Sequence, residues 1–421
     1  MPKEKNYFRL FDDNPPKEDN YIRELFIDRE DELAHGKKML LSDTDFPGIL
    51  AVHGATRCGK SHLVSRLLVV EEIQKKFDIL KINATTYPTV RNIFEDIFFK
   101  LKSKIEFIAS KKKIEGITKE SIEAILLYLN EIKPLIKNEN TEITCSKTRE
   151  KVESIGNDAK FIFSFLQIGS SIKTEFKDIS GIEWTRAGFD EKAIVELLIK
   201  EADLLCRITN KKILLFVDDL DLVDNPYSGD QINADQILNL LQPLGFSSYF
   251  LVLITTRTAY FKGKQKNIKN FLRIRPMFSD YIEDIYKLRI NSFNNGEKIF
   301  SDEALELLVT SADGLVGIFF SNCYKILSAY PLEDGLIEKE HIKKYVKMDI
   351  EGLMNNPDYF EIMNKIFEAV RKNTLELSIH GLLGEDDIIY DVLTPILNQK
   401  DRYRITKMYA LTIPEILEET G

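Results

Sequence analysis

Gly54-Ala55-Thr56-Arg57-Cys58-Gly59-Lys60-Ser61 fits the pattern G-x-x-x-x-G-K-[ST] without a mismatch, and its flanks decide what the pattern means. Before it, Gly48-Ile49-Leu50-Ala51-Val52 has no polar interruption and predicts a buried strand. After it, Ser61 to Val70 carries apolar residues at helical spacing. Strand, glycine-bearing loop and helix in that order make a phosphate cradle. Gly54 and Gly59 let successive N–H groups turn inward, and the new helix presents its positive end. Lys60 is then placed to reach β- and γ-phosphates and Ser61 to ligate Mg²⁺. Ala55, Thr56, Arg57, Cys58 and His62 complete the expected nucleotide-binding stretch, with a nucleotide and Mg²⁺ as its ligands. For Cys58 a small space-filling role is preferred to that of an activated thiol.

A second half of the site is expected downstream. Ile213-Leu214-Leu215-Phe216-Val217 runs into Asp218-Asp219-Leu220-Asp221, which places carboxylates at the C-terminal end of a buried strand, where open α/β sheets bind ligands. Asp218 is assigned to Mg²⁺ and Asp219 to the attacking water, which it deprotonates or orients. Alone, the stretch would be an acidic turn after a core strand; the phosphate loop upstream tips the choice. Tyr249-Phe250-Leu251-Val252-Leu253-Ile254 is a further apolar strand, delivering Thr255, Thr256 and Arg257 to the same edge. A hydroxyl there can hold the lytic water, and the guanidinium can neutralise charge on the transferred phosphate. The competing reading is a strand-end turn with an exposed arginine.

With 421 residues the chain can bury two or three cores. No apolar run approaches the about 18 residues that cross a bilayer, so no membrane role is expected. The start, Met1 to Asn6, is polar, and the cysteines Cys58, Cys145, Cys206 and Cys323 are scattered; a reducing cytoplasm and no metal cluster are expected. A net charge of −9 argues against a surface that coats nucleic acid, and leaves room for a local basic patch.

Residues 1–21, with Asn14-Pro15-Pro16, predict an extended lead-in. Asp28 is an N-cap candidate for a helix whose first turn holds Glu30, Asp31 and Glu32. Phe77 to Asn83 predicts a second strand. The distance from there to Ile213 is several times the usual crossover of a parallel sheet, so an insertion at about 100–187 is expected. It is helical over 92–137, has two strands around a glycine turn in 161–176, and carries Trp184 as an anchor for the return. Structural flap and partner- or substrate-sensing element weigh equally for it. From Phe261 to Pro276 the chain is basic, with Lys262, Lys264, Lys266, Lys269, Arg273 and Arg275. A solvated face is preferred, ahead of an arginine-finger edge or a phosphate-contacting strip. Helices are expected over 279–293, 302–311, 315–329 and 339–347. Over 351–421 the acids number 13 and the bases 7, the wrong balance for a DNA-reading winged helix.

The phosphate loop, the apolar-DD-x-D strand and the apolar-TTR strand together resemble the ASCE division of P-loop ATPases. More closely, they resemble the AAA+/STAND group, which includes origin-recognition-type initiators and bacterial STAND-like ATPases. Phe26-Ile27-Asp28-Arg29-Glu30-Asp31-Glu32-Leu33 is similar to the F-[IV]-G-R-E-x-E-L box before the loop, with Asp28 for glycine. Phe271 to Pro276 and Ile282 to Arg289 resemble the last core strand and the lid entry. In Ala312-Asp313-Gly314-Leu315-Val316-Gly317, Val316 and Gly317 stand where the lid pattern has proline and arginine. The resemblance thus implies a lid without its sensor-two arginine, and Asp219 in place of glutamate implies slow hydrolysis.

The expected fold is α/β: a five-stranded parallel P-loop sheet with helices on both faces, a helical lid, and a small, mostly helical C-terminal domain. The expected boundaries are 1–21, 22–276 with the insertion, 277–347 for the lid and 348–421 for the last domain, a winged-helix-like form being its alternative. The expected function is an ATP-driven conformational switch with slow turnover. A DNA-binding initiator or loader, and a signalling or defence scaffold with little turnover, are the rivals. ATP and ADP are the expected ligands, a homo-oligomer or protein partner would use the insertion or the C-terminal domain, and nucleic acid is not favoured.

Overall fold

The computed structural model describes residues 11, 26–27, 29–42, 48–111, 118–137, 143–144, 146–155, 185–186, 191–224, 233–264, 266, 268–294, 296–330, 335–379, 392–395 and 402–420. The expectations for Asp28, for 161–176 and for Trp184, and all of the lead-in except Phe11, lie outside these residues.

In chain order, helix α1 (Glu30–Leu41) precedes strand β1 (Ile49–Gly54), helices α2 (Lys60–Leu68) and α3 (Glu71–Lys76), and strand β2 (Phe77–Asn83). The insertion region carries α4 (Val90–Ala109), α5 (Lys119–Glu131), α6 (Lys133–Lys137), β3 (Ile143–Thr144), α7 (Ser146–Ile155) and β4 (Thr185–Arg186). Next come α8 (Glu191–Thr209), β5 (Lys212–Asp218), a short 3-10 turn (Leu220–Asp224), α9 (Ala234–Phe246), β6 (Phe250–Arg257), α10 (Thr258–Lys264) and β7 (Asn270–Ile274). The rest comprises α11 (Ser279–Asn294), α12 (Asp302–Ala312), α13 (Val316–Ala329), α14 (Lys339–Met354), α15 (Pro357–Arg371), β8 (Glu376–Ser378), β9 (Leu393–Pro395), β10 (Arg402–Ile405) and α16 (Lys407–Thr420).

Two compact units result. One takes Ala34–His53 and Leu67–Arg273; the other takes Met1–Leu33, Gly54–Arg66 and Ile274–Gly421.

The first unit is built on a five-stranded parallel sheet in the order β2-β5-β6-β1-β7 with flanking helices. Ile213 to Val217 are buried without interruption, as a strand covered on both faces requires. Register sets the strand ends: Asn83 aligns with Asp218, and Val217 with Ile254, so Asp218, the last residue of β5, lies beside Thr255, two residues before the end of β6. The core of this unit draws on Ile97, Phe98 and Leu101 of α4 and on Ile194, Leu197 and Leu198 of α8. Their three- and four-residue spacing gives each helix one apolar face. Thr89 caps α4 by accepting from the Asn92 N–H. In the insertion, β3 pairs antiparallel with β4, Ile143 opposite Arg186.

The second unit has its own core, where Phe300, Phe319 and Phe320 meet Tyr286 and Phe11. Its last part adds a three-stranded antiparallel sheet, β8-β10-β9, to α15 and α16.

Candidate functional site

The phosphate loop belongs to the second unit, and its shape is set by main-chain constraints. Gly54 ends β1 in a crowded place: a Cβ there would stand 2.7 Å from both Cys58 Sγ and the Ile274 carbonyl oxygen. Gly59 has φ +92°, a conformation that side-chain-bearing residues avoid. Arg57 also turns left-handed, at φ +61°. The turn then closes into α2, where Leu63 N donates to Gly59 O at 3.0 Å.

Lys60 is only 7% exposed, and its Nζ donates to Ala55 O at 2.8 Å, so the ammonium lies over the loop that precedes it. Ser61 and His62 sit half-buried in the first turn of α2. Cys58 is fully buried, and burial pushes its thiol up even though Lys60 and Arg29 pull it down. That is the behaviour of a space-filling side chain, not of an activated nucleophile.

Two further contacts hold this loop, and sequence reasoning assigned neither. Arg29 is buried, and its Nη2 donates to Cys58 O at 3.1 Å and to Arg275 O at 2.6 Å, while Nη1 pairs with Glu32 at 3.1 Å. One guanidinium thereby joins the acidic box, the loop and the exit of β7. Its signal in the sequence is the box itself, at fixed distance before the loop. The second contact is Gly317 N, which donates to Arg57 O at 3.0 Å. A Cβ on Gly317 would meet Arg57 Cβ at 2.8 Å. The start of α13 therefore rests on the loop backbone, and no side chain fits at the position where the AAA+/STAND lid pattern has arginine.

The strand-end acids lie in the first unit and form a side-chain network. Thr255 is fully buried, and its hydroxyl donates to Asp218 Oδ1. Asp219 N donates to Thr255 Oγ1 at 2.9 Å and to Asp218 Oδ1 at 3.2 Å. Asp219 is left-handed, φ +54°, and this turns the chain from β5 into the 3-10 segment. Thr256 is buried beside them, its hydroxyl 3.4 Å from Arg257 O. Arg257 is engaged by Asp221: its Nε donates to Asp221 Oδ2, its N to Oδ1 at 3.0 Å and its Nη2 to Asp221 O at 3.0 Å. Asp218, Asp219, Thr255, Thr256 and Arg257 are thus brought together, with Asp221, at the ends of β5 and β6.

The donor set suits a hard cation and a phosphate chain. Taken separately, the Ser61 hydroxyl at the start of α2 and the Asp218 carboxylate at the end of β5 are hard oxygen donors of the kind Mg²⁺ takes. Lys60 and the loop N–H groups suit the phosphates. Among the described residues no group of three or more His, Cys, Asp or Glu could hold a metal ion. No helix among them is long and apolar enough to cross a membrane.

Residues 41–313 match the sequence profile of the KAP family P-loop domain. Similar solved structures include the ORC1 protein of Aeropyrum pernix in complex with DNA, at 12% identity and TM-score 0.45 over 98% of each chain. The ORC2 protein of the same organism, in ADPNP-ADP complexes, gives 13%, 0.45 and 98% of each chain. Cdc6p from Pyrobaculum aerophilum gives 13% and 0.40, again over 98% of each chain. No match was found among curated proteins.

Proposed function

The chain belongs to the KAP family of P-loop NTPases, and on that premise we propose that it binds Mg·ATP and works as a conformational switch with slow hydrolysis. Lys60 and the loop N–H groups take the β- and γ-phosphates, Ser61 and Asp218 take Mg²⁺, Asp219 orients the attacking water, and Arg257 answers the γ-phosphate. Bound Mg²⁺ would neutralise charge that develops on the phosphates. The chain's own part is to fix Asp218 through the Thr255 hydroxyl and to hold Asp219 in its left-handed turn.

One observation carries the switch. The Gly317 N–H bonds to the carbonyl of Arg57, a left-handed loop residue whose peptide must adjust to phosphates. Any such adjustment is passed by a main-chain hydrogen bond to the first turn of α13. Slow turnover rests on the short Asp219 side chain and on the glycine at 317, which supplies no charge.

A loader reading has one observation behind it. Lys262, Lys266, Lys269 and Arg273 are exposed and have no ion pair among the described residues, as a phosphate-contacting strip requires.

Steady-state Mg·ATP turnover of the full chain, with and without duplex DNA, separates the readings. The switch predicts slow turnover that DNA leaves unchanged and that Asp219→Asn removes without loss of ATP binding. Turnover that rises with DNA favours the loader; equal turnover by Asp219→Asn removes that residue from the mechanism.

A further inference from the structure

The stretch Asp218-Asp219-Leu220-Asp221 meets Thr255-Thr256-Arg257 as a cross-clamp. The parallel register sets Asp218 beside Thr255, and the left-handed Asp219 sends the chain into a 3-10 turn, closed by Leu222 N to Asp219 O at 3.1 Å. That turn brings Asp221 back to the end of β6, where it accepts from Arg257 Nε and from the Arg257 main-chain N–H, while its own carbonyl accepts from Nη2. Asp221 is 2% exposed and Arg257 29%. Asp218 is committed to Thr255, so the two outer acids of the motif have different partners.

We infer that Asp221 is the positioning residue that fixes the Arg257 guanidinium for the γ-phosphate and so sets the preference for ATP over ADP. The inference rests on the nucleotide reading above and adds a residue to which that reading gives no part. A guanidinium carries five N–H groups. Asp221 engages one on Nε and one on Nη2, and among the described residues the other three have no partner. Held at two nitrogens and at its own main chain, the arginine has lost its rotamer freedom before any ligand arrives, so binding of an anionic oxygen does not carry that ordering cost. Planar, forked and permanently charged, it suits a terminal phosphate, which has more free oxygens and charge than the β-phosphate of ADP. Lysine cannot reproduce this, because one ammonium cannot span Asp221 and a phosphate with a fixed fork.

The test is calorimetric titration of the full chain with a non-hydrolysable ATP analogue and, separately, with ADP, Mg²⁺ present throughout. The wild type prefers the ATP analogue. Asp221→Asn, which keeps the shape and removes the charge and one acceptor, lowers affinity for the ATP analogue about tenfold and leaves ADP within about twofold. Retained ADP binding also shows that the variant is folded. Arg257→Lys, which still compensates the buried Asp221 charge, shows the same selective loss and covers the case in which Asp221→Asn does not fold. The double variant is no worse than either single one, because both act through one guanidinium. An unchanged ATP-to-ADP ratio in Asp221→Asn, or in Arg257→Lys where the first does not fold, overturns the inference. So does an equal loss of both nucleotides by a folded Asp221→Asn, since that is a structural effect. A wild type that binds neither nucleotide overturns the nucleotide reading itself, and this inference with it.

Discussion

Between Gly54 and Lys60, position is dictated by the main chain: two left-handed residues, a glycine with no room for a Cβ, and carbonyls held by Arg29 and Gly317. At the ends of β5 and β6 it is dictated by side chains, since Thr255 holds Asp218 and Asp221 holds Arg257. The first arrangement tolerates almost no side chain at the glycines. The second depends on the pairing of particular polar groups and tolerates little change in either partner. Two parts of one proposed site thus fail in different ways, by steric collision in one and by an orphaned polar group in the other.

If that contrast is right, the largest stability effect comes from a single methyl group. Gly54→Ala sets a Cβ against the Ile274 carbonyl, a backbone atom that cannot rotate away, and is expected to cost about 1–3 kcal/mol. Urea denaturation measures it. Gly317→Arg, which installs the residue of the AAA+/STAND lid pattern, is expected to weaken ATP binding for the same reason: it collides with Arg57 before it can reach a phosphate. Full stability of both variants would show that the loop is less constrained than its geometry.

Thr255→Val tests the other side of the contrast. It keeps volume and removes the hydroxyl that serves both Asp218 and Asp219 N. The expected cost is about 1 kcal/mol of stability, with a larger rise in the Mg²⁺ concentration needed for ATP binding. A stability loss without any change in Mg²⁺ requirement would separate Asp218 from the metal.

Glu201 of α8 sharpens the point by contrast. It is fully buried, and among the described residues neither carboxyl oxygen has a hydrogen-bond partner. Burial holds it protonated well above its ordinary value of 4.5, against the pull of Lys102. The folded state therefore keeps a proton that the unfolded chain releases, and this group's contribution to stability falls as pH rises above 4.5. Glu201→Gln should flatten that fall and leave the variant more stable than wild type by roughly 1 kcal/mol at about pH 8. Urea midpoints of both proteins across pH measure the difference; parallel curves would mean that Glu201 is ionised in the fold.

Legibility in the sequence divides along the same line. The loop can be read because Gly54 and Gly59 are forced by local sterics that leave a fixed spacing in the sequence. The β-strands can be read because Ile213 to Val217 and Tyr249 to Ile254 contain no polar residue apart from the Tyr249 hydroxyl. The clamp of Asp221 on Arg257 cannot, although both residues stand in the motifs, because it depends on register between strands and on the left-handed Asp219. Arg29 is half legible: the box in which it stands, with Glu32 as its partner, can be read, whereas its bonds to the carbonyls of Cys58 and Arg275 cannot, because main-chain carbonyls carry no residue-specific signature. Gly317 reads in the sequence as a missing arginine, whereas in the fold its amide holds Arg57.

The central claim is that this loop binds ATP, and Lys60 tests it most directly. Its Nζ hydrogen-bonds only Ala55 O among the described residues, so Lys60→Ala removes the charge for the phosphates at the loss of one hydrogen bond in the fold. Equilibrium binding of a labelled ATP analogue with Mg²⁺ present should be saturable for wild type and at least about a hundredfold weaker for Lys60→Ala. Equal affinity of the two proteins would contradict the account.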